Sequence, residues 1–288
     1  MSKWSGRSKG FVLGYQIFIL FIKKLGVPAA YLLLYFVVPF YYIFLYKARK
    51  SLYLTFKEIP ELKYSNLQCL IFKNFFNLGK TLVDNFAILT NNKSKYSYVG
   101  NGEKYLIDLI NKSQPAILIS AHIGSWNIAG ELLKEKGGMI NVVMYDGEVK
   151  KIKMLVEKNI GKSNYNIIEI KDDLSHLFKM KNAIDNKELI CIHADRYIEG
   201  ANTITARIFD KKVHLPMGPF VIASKLNVPY SFVFCFRESI YRYQFSATKP
   251  ELSSDPQIIA NEFAEILSEK LSKHPEQWFN YFNIFENK

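Results

Sequence analysis

Cysteine is scarce in this 288-residue chain, and the three present, Cys69, Cys191 and Cys235, stand far apart. No pair has the spacing of a metal knuckle or a redox dithiol, and nothing makes a disulfide framework. Cys191 and Cys235 lie in apolar runs and read as inert core thiols of a reducing compartment. The chain also lacks a Gly-x-Ser-x-Gly elbow, a Gly-x-Gly-x-x-Gly turn, a phosphate loop ending in Gly-Lys-Ser/Thr and a His-Glu-x-x-His helix. Common nucleotide and zinc chemistries therefore have no support. Internal repeats and low-complexity tracts are missing too.

Acidic residues are nearly absent from the first eighty positions, where twelve Lys or Arg face only Glu58 and Glu61. That region therefore holds about +10 of a net charge of +12. A stretch both basic and strongly apolar fits an anionic membrane surface. No nucleic-acid motif is present, and no nucleic-acid partner is expected. An acidic protein partner would suit the same charge.

What the chain does have is hydrophobic and aromatic, 49% and 15% of its residues, with much of the aromatic share near the N-terminus. Met1–Gly10 is basic, Phe11–Ile22 is apolar, and Lys23-Lys24 interrupts. Leu25–Tyr46 then runs without a charged side chain, long enough to span a bilayer. Pro28, Pro39 and several tyrosines make it a kinked, wet span. No small-residue cleavage site follows Phe11–Ile22, so a removed signal peptide is not expected. A transmembrane helix, a hairpin dipping into one leaflet, helices lying in the interface and a helix pair in a soluble core all remain open. Three regions are expected: a basic hydrophobic membrane anchor over 1–50, a helical cap and linker over 51–95, and an α/β domain over 96–288. The polar stretch Asn91–Lys95 marks the last boundary.

From Tyr96 onward strand and helix patterns alternate. Strands are expected at Ala116–Ser120, Ile140–Tyr145, Asn166–Ile170, Leu189–His193, Thr203–Phe209, Tyr230–Phe236 and Tyr243–Ala247. Helices are expected at Tyr105–Ile110, Ser125–Lys136, Val149–Asn159, Leu174–Ile184, Gly218–Leu226 and Gln257–Leu271. Lys211, Lys212 and His214 read as a loop, and His176 as a surface residue. Such alternation predicts a mostly parallel central sheet flanked by helices.

The chemistry gathers at strand ends. Ala116–Ser120 stops at Ala121-His122, and Gly124-Ser125 opens a helix whose Ile128, Leu132 and Leu133 share a face. A histidine just past a strand, at the mouth of a helix, stands where open α/β sheets bind ligands. A neutral imidazole there can take a proton from a hydroxyl, and backbone N–H groups at the helix start can hold an oxyanion. A second cluster, His193-Ala194-Asp195-Arg196-Tyr197-Ile198-Glu199-Gly200, follows the Leu189–His193 strand and lies on the same edge. Its Asp-Arg pair can hold a headgroup phosphate or carboxylate through the arginine fork. Alternatively it is a surface ion pair worth under about 1 kcal/mol.

His122, four intervening residues and then Asn127 resemble the His-x4-Asp/Glu motif of the lipid A biosynthesis (lysophospholipid) acyltransferase family, with Asn in place of the carboxylate. Asp195, Gly200 and Met217-Gly218-Pro219 match that family's later block, and His274–Tyr281 is similar to its Pro-x-Gln-aromatic ending. The likeness covers roughly residues 10–285 and is nearest to members acylating flexirubin-type or aryl-polyene lipids. It implies a glycerolipid-acyltransferase-like α/β fold with an N-terminal hydrophobic anchor, on the cytoplasmic face of a bacterial inner membrane. The implied reaction moves a fatty acyl chain from an acyl carrier protein or coenzyme A thioester to a hydroxyl or amine of a membrane lipid. His122 would be the general base and Asn127 its orienting partner, with Asp195 supporting the base. Gly124, Ser125 and Trp126 would meet the reacting group. Arg196, Glu199, Gly200 and Arg237 would contact substrate. No metal and no cofactor are expected, because a thioester is already activated. Asn127 keeps two alternatives open, a catalytically impaired lipid-binding relative and a thioesterase using water.

Overall fold

The computed structural model describes residues 12–88, 95–145, 165–171 and 173–285. The expected basic segment Met1–Gly10, the Val149–Asn159 helix and most of the Asn91–Lys95 linker lie outside the described residues.

Three helices lead the chain: α1 (Val12–Leu25), α2 (Val27–Phe44) and α3 (Tyr46–Phe56). Gly26 breaks α1 from α2, and Pro39 sits inside α2. A helix apolar all round must find cover on every side. Here Val27, Ala30, Tyr31, Leu34 and Val38 are buried against the next helix, α4 (Leu67–Ala87). The approach is close because Gly79 faces Leu34, where a Cβ would come within 2.8 Å of a Leu34 methyl. The opposite stripe, Leu32, Tyr35, Phe36, Phe40, Ile43 and Phe44, faces outward, with Phe36 76% exposed. Among the described residues α2 is one helix long and apolar enough to cross a membrane, with mean hydropathy 1.8 and 28% of it buried.

The core is a seven-stranded sheet whose strands lie side by side in the order 97–101 (β1), 242–247 (β9), 230–237 (β8), 116–120 (β2), 189–193 (β5), 140–145 (β3) and 166–170 (β4). Five neighbours run parallel, β8 (Tyr230–Arg237), β2 (Ala116–Ser120), β5 (Leu189–His193), β3 (Ile140–Tyr145) and, at the edge, β4 (Asn166–Ile170). β9 (Arg242–Ala247) turns back antiparallel to β8, and β1 (Ser97–Asn101) pairs parallel with β9. Helices α5 (Glu103–Asn111), α6 (Trp126–Glu135), α7 (Ser175–Asp185), α8 (Met217–Lys225) and α9 (Pro256–Lys273) flank it. The mostly parallel α/β reading holds, since strands buried on both faces write themselves as continuous apolar runs.

Two local expectations differ. β1, with the sequence Ser-Tyr-Val-Gly-Asn, carries no apolar run and escapes the sequence reading because it is a largely exposed edge strand. Lys211–Pro216 is not a loop but β7, antiparallel to β6 (Thr203–Ile208). The hairpin turns through Phe209 and Asp210, whose φ angles of 50° and 60° belong to residues other than glycine. The usual Asn-Gly signal is therefore absent.

The N-terminal helices are tied to the sheet by a buried carboxylate. Asp84 on α4 accepts hydrogen bonds from Tyr31 at 2.6 Å, from Tyr96 at 2.9 Å and from Tyr243. Burial pushes the Asp84 pKa up to about 6, against the three phenols and Arg237, which pull it down. The native state thus holds a proton that the unfolded chain has released above pH about 4. The contribution of Asp84 to stability is expected to fall, by about 2 kcal/mol, as pH rises through the window from about 4 to about 6. Denaturant unfolding of the wild type and Asp84→Asn across that window measures it, and the variant should lack this part of the slope.

Candidate active site

β2 and β5 are neighbours in register, Ser120 opposite His193, so the residues that follow them emerge side by side. The Ala194 N–H donates to the Ser120 carbonyl at 2.9 Å and holds the two strand ends together. His122 Nδ1 consequently meets Asp195 Oδ1 at 2.7 Å. The Asp195 side chain is 1% exposed and the His122 side chain 18%. Burial alone would raise the Asp195 pKa. The charge and hydrogen bond of His122, with Arg196 and His193, outweigh it and bring it down to about 2. The carboxylate is thus ionised, and it fixes the imidazole with Nδ1 occupied and Nε2 left for chemistry.

The loop carrying His122 is pinned by its backbone. Gly124 N–H donates to the Gln277 carbonyl at 2.9 Å, and Ser125 N–H to the Cys235 carbonyl at 2.6 Å. Phe279 N–H donates to the His122 carbonyl at 2.7 Å. The expected oxyanion donors at Gly124 and Ser125 are therefore already spent on β8 and on the C-terminal segment. The amides of Trp126, Asn127 and Ile128, in the first turn of α6, have no acceptor inside that helix.

The C-terminal aromatic block serves as this loop's backing. Trp278 is fully buried, and Asn280 Nδ2 donates to the Asp195 carbonyl at 3.1 Å. Gln277 clasps the end of β8, accepting from Arg237 N–H at 2.9 Å and donating to the Arg237 carbonyl at 3.0 Å.

His122 opens onto a cavity of about 1310 Å³. One sheet face supplies its floor through Leu118, Val142, Met144, Cys191 and His193. The Met217-Gly218-Pro219 turn lines it at the start of α8, and Phe44–Ala48 line it at the junction of α2 and α3. Among the described lining residues the only side chains with a full charge are Lys47 and Arg196. Burial pushes the Cys191 thiol up to about 12, which leaves it inert.

The residues singled out from sequence sort as follows. His122, Asp195, Gly124, Ser125, Asn127 and Arg196 all reach the cavity or its catalytic wall. Asn127 does not orient His122. That place is taken by Asp195, and among the described residues Asn127 Oδ1 is buried without a hydrogen-bond partner. Ser125 Oγ donates to Asn85 Oδ1 at 3.1 Å. Trp126 opens α6, and its side chain lies outside the described residues. The Arg196 guanidinium donates to the Phe279 carbonyl and lies 5.9 Å from the centre of the Phe282 ring. Glu199 and Gly200 are exposed on a turn and do not line the cavity. Arg237 is also elsewhere. It donates to Asn77 Oδ1 at 3.0 Å and stands 5.8 Å from the centre of the Tyr31 ring, among the helices that hold Asp84. His176 is buried and lines the cavity, against its reading as a surface residue. His193 went unassigned in the sequence, although the two-residue period of β5 sets it on one face with Cys191.

The model of the bacterial lipid A biosynthesis acyltransferase family matches residues 13–285. The chain belongs to this family. No curated protein matches it. Membership makes acyl transfer to a lipid the class of activity to be explained, and the match spans the N-terminal helices as well as the sheet.

Proposed function

We propose that the protein transfers a fatty acyl group from a thioester to a hydroxyl or amine of a membrane lipid, with His122 as general base. The observation that carries this reading is the His122–Asp195 pair at 2.7 Å, placed on the wall of a large, mainly apolar cavity. Nε2 takes the proton of the acceptor as its oxygen or nitrogen attacks the thioester carbon. Asp195 stabilises the imidazolium, and Nε2–H then protonates the departing thiolate. The sheet-face floor suits an acyl chain. The thioester is activated already, so the step asks for no metal.

The outward stripe of α2 and the cations Lys23, Lys24, Lys47, Arg49 and Lys50 favour a seat in an anionic membrane surface. Because Phe44–Ala48 line the cavity, a lipid acceptor can enter beside that seat. The donor, an acyl carrier protein or coenzyme A thioester, would come from the cytoplasmic side of a bacterial inner membrane. Lys47 and Arg196, the charged side chains among the described lining residues, can complement a negative charge on the acceptor, and the flexirubin and aryl-polyene acceptors come from the resemblance of the sequence alone.

The test is transfer of labelled acyl groups from both thioesters into vesicles of total bacterial lipid, followed by mass analysis of the product. Label in a lipid from the wild type, and none from His122→Ala, is the expected result. Free fatty acid as sole product would make the protein a thioesterase. Intact thioester with every acceptor would make it a lipid-binding relative.

A further inference from the structure

The pinned amides of Gly124 and Ser125 leave open what holds the negative charge that develops on the thioester oxygen. A partly buried imidazole lies beside the catalytic one. The ring centres of His193 and His122 are 4.3 Å apart, inclined at 58°, and both rings line the cavity. His193 ends β5 directly opposite Ser120 of β2, so its position is fixed by sheet register and not by a loop. Burial, and the neighbouring His122 ring after it, drives the His193 pKa well down, so it is a neutral imidazole.

We propose that His193 is a second catalytic residue, donating an N–H to the oxyanion of the tetrahedral intermediate. This rests on the acyltransferase reading of the same site. A substrate oxygen hydrogen-bonded to His122 Nε2 stands about 3 Å from it. When that oxygen bonds to the carbonyl carbon, the developing oxyanion is two bonds further on, within reach of a ring centred 4.3 Å from that of His122. The atoms balance. The acceptor proton goes to His122 Nε2, and its oxygen bonds to the acyl carbon. The carbonyl π pair moves onto oxygen, where the His193 N–H meets it. Collapse restores the carbonyl and breaks the carbon–sulfur bond, and the thiolate takes the proton from His122. His193 donates a hydrogen bond throughout and transfers no proton. A neutral imidazole suits that role, since a second imidazolium would oppose protonation of His122.

The test compares His193→Gln, which keeps an N–H donor, with His193→Leu, which does not, using labelled palmitoyl thioesters of acyl carrier protein and coenzyme A with total-lipid vesicles. Loss of one preorganised oxyanion donor costs about 10²–10³ in turnover. His193→Leu should lose that much in kcat with KM for the thioester within about threefold, and His193→Gln should recover at least about tenfold of it. Thermal unfolding of each variant reports its folding, and His193→Met replaces the Leu variant if that does not fold. Wild-type turnover in folded His193→Leu or Met would overturn the assignment while leaving the acyltransferase reading intact, as would a Gln variant no better than either. A wild type that transfers no label would overturn both.

Discussion

Asp195→Asn is expected to lower acyl-transfer turnover by about 10⁴-fold, the loss that follows when a histidine's carboxylate partner becomes an amide. The asparagine would keep the 2.7 Å contact to His122 Nδ1 but can present its NH₂ there, favouring the wrong tautomer, and it has no charge to match the imidazolium. His122→Ala should cost at least as much. The double variant should cost little more than either, because the two act as one unit. Asn127→Glu provides the contrast. If the motif carboxylate were simply missing, restoring it would raise activity. With Nδ1 already held by Asp195, the new glutamate has no imidazole nitrogen to orient and adds a buried charge to a wall that already holds one. No gain in turnover is expected. Steady-state kinetics of the four variants, at equal folded fraction by circular dichroism, decide the matter. A substantial gain in Asn127→Glu would show that the site is impaired as it stands.

Gly124→Ala is expected to destabilise the protein by about 3 kcal/mol or more and to abolish most of the activity of what still folds. Gly124 has φ +69°, and a Cβ there would lie 2.1 Å from the Cys235 carbonyl oxygen. That oxygen is backbone in β8 and also accepts the Ser125 N–H, so it cannot move without releasing the loop. The strain would fall two residues from His122, and displacement of a reacting group by about 1 Å can cost 10²-fold in rate. Gly130→Ala on α6 is the stability control. A Cβ there meets nothing within 4 Å, and alanine in a helix interior should add about 0.5–1 kcal/mol. Denaturant midpoints for the two variants should move in opposite directions, and equal midpoints would remove the steric argument.

The sequence by itself determined the parts whose physics is local. Apolar runs bounded by turns fixed Ala116–Ser120, Ile140–Tyr145 and Leu189–His193 to the residue, because a buried parallel strand needs only a mainly hydrophobic stretch; Asn166–Ile170, an edge strand containing Glu169, was read to the residue as well. Strand-end position marked His122 and Asp195 as candidates for the site, and composition marked the N-terminal helices as apolar and basic. Partnership was decided only by tertiary structure. Asp195 reaches His122 across 73 residues because β5 is filed beside β2, and nothing in either segment states that order. Likewise, the His-x4-Asn spacing is read correctly on the chain, but the hydrogen bond to His122 Nδ1 comes from Asp195. The helix turns Asn127 along the cavity wall, while the sheet delivers a stronger partner from the other side. Amides that look free at a helix start were taken by Gln277 and Cys235, which lie more than a hundred residues away in sequence. Arg237 carries a charge at the right strand edge, but hydrogen bonding drew it to Asn77 among the helices. Periodicity reports which face of an element is buried. Which other element covers that face depends on strand order and on packing between distant segments, and that order placed the carboxylate, the second imidazole and the cavity around His122.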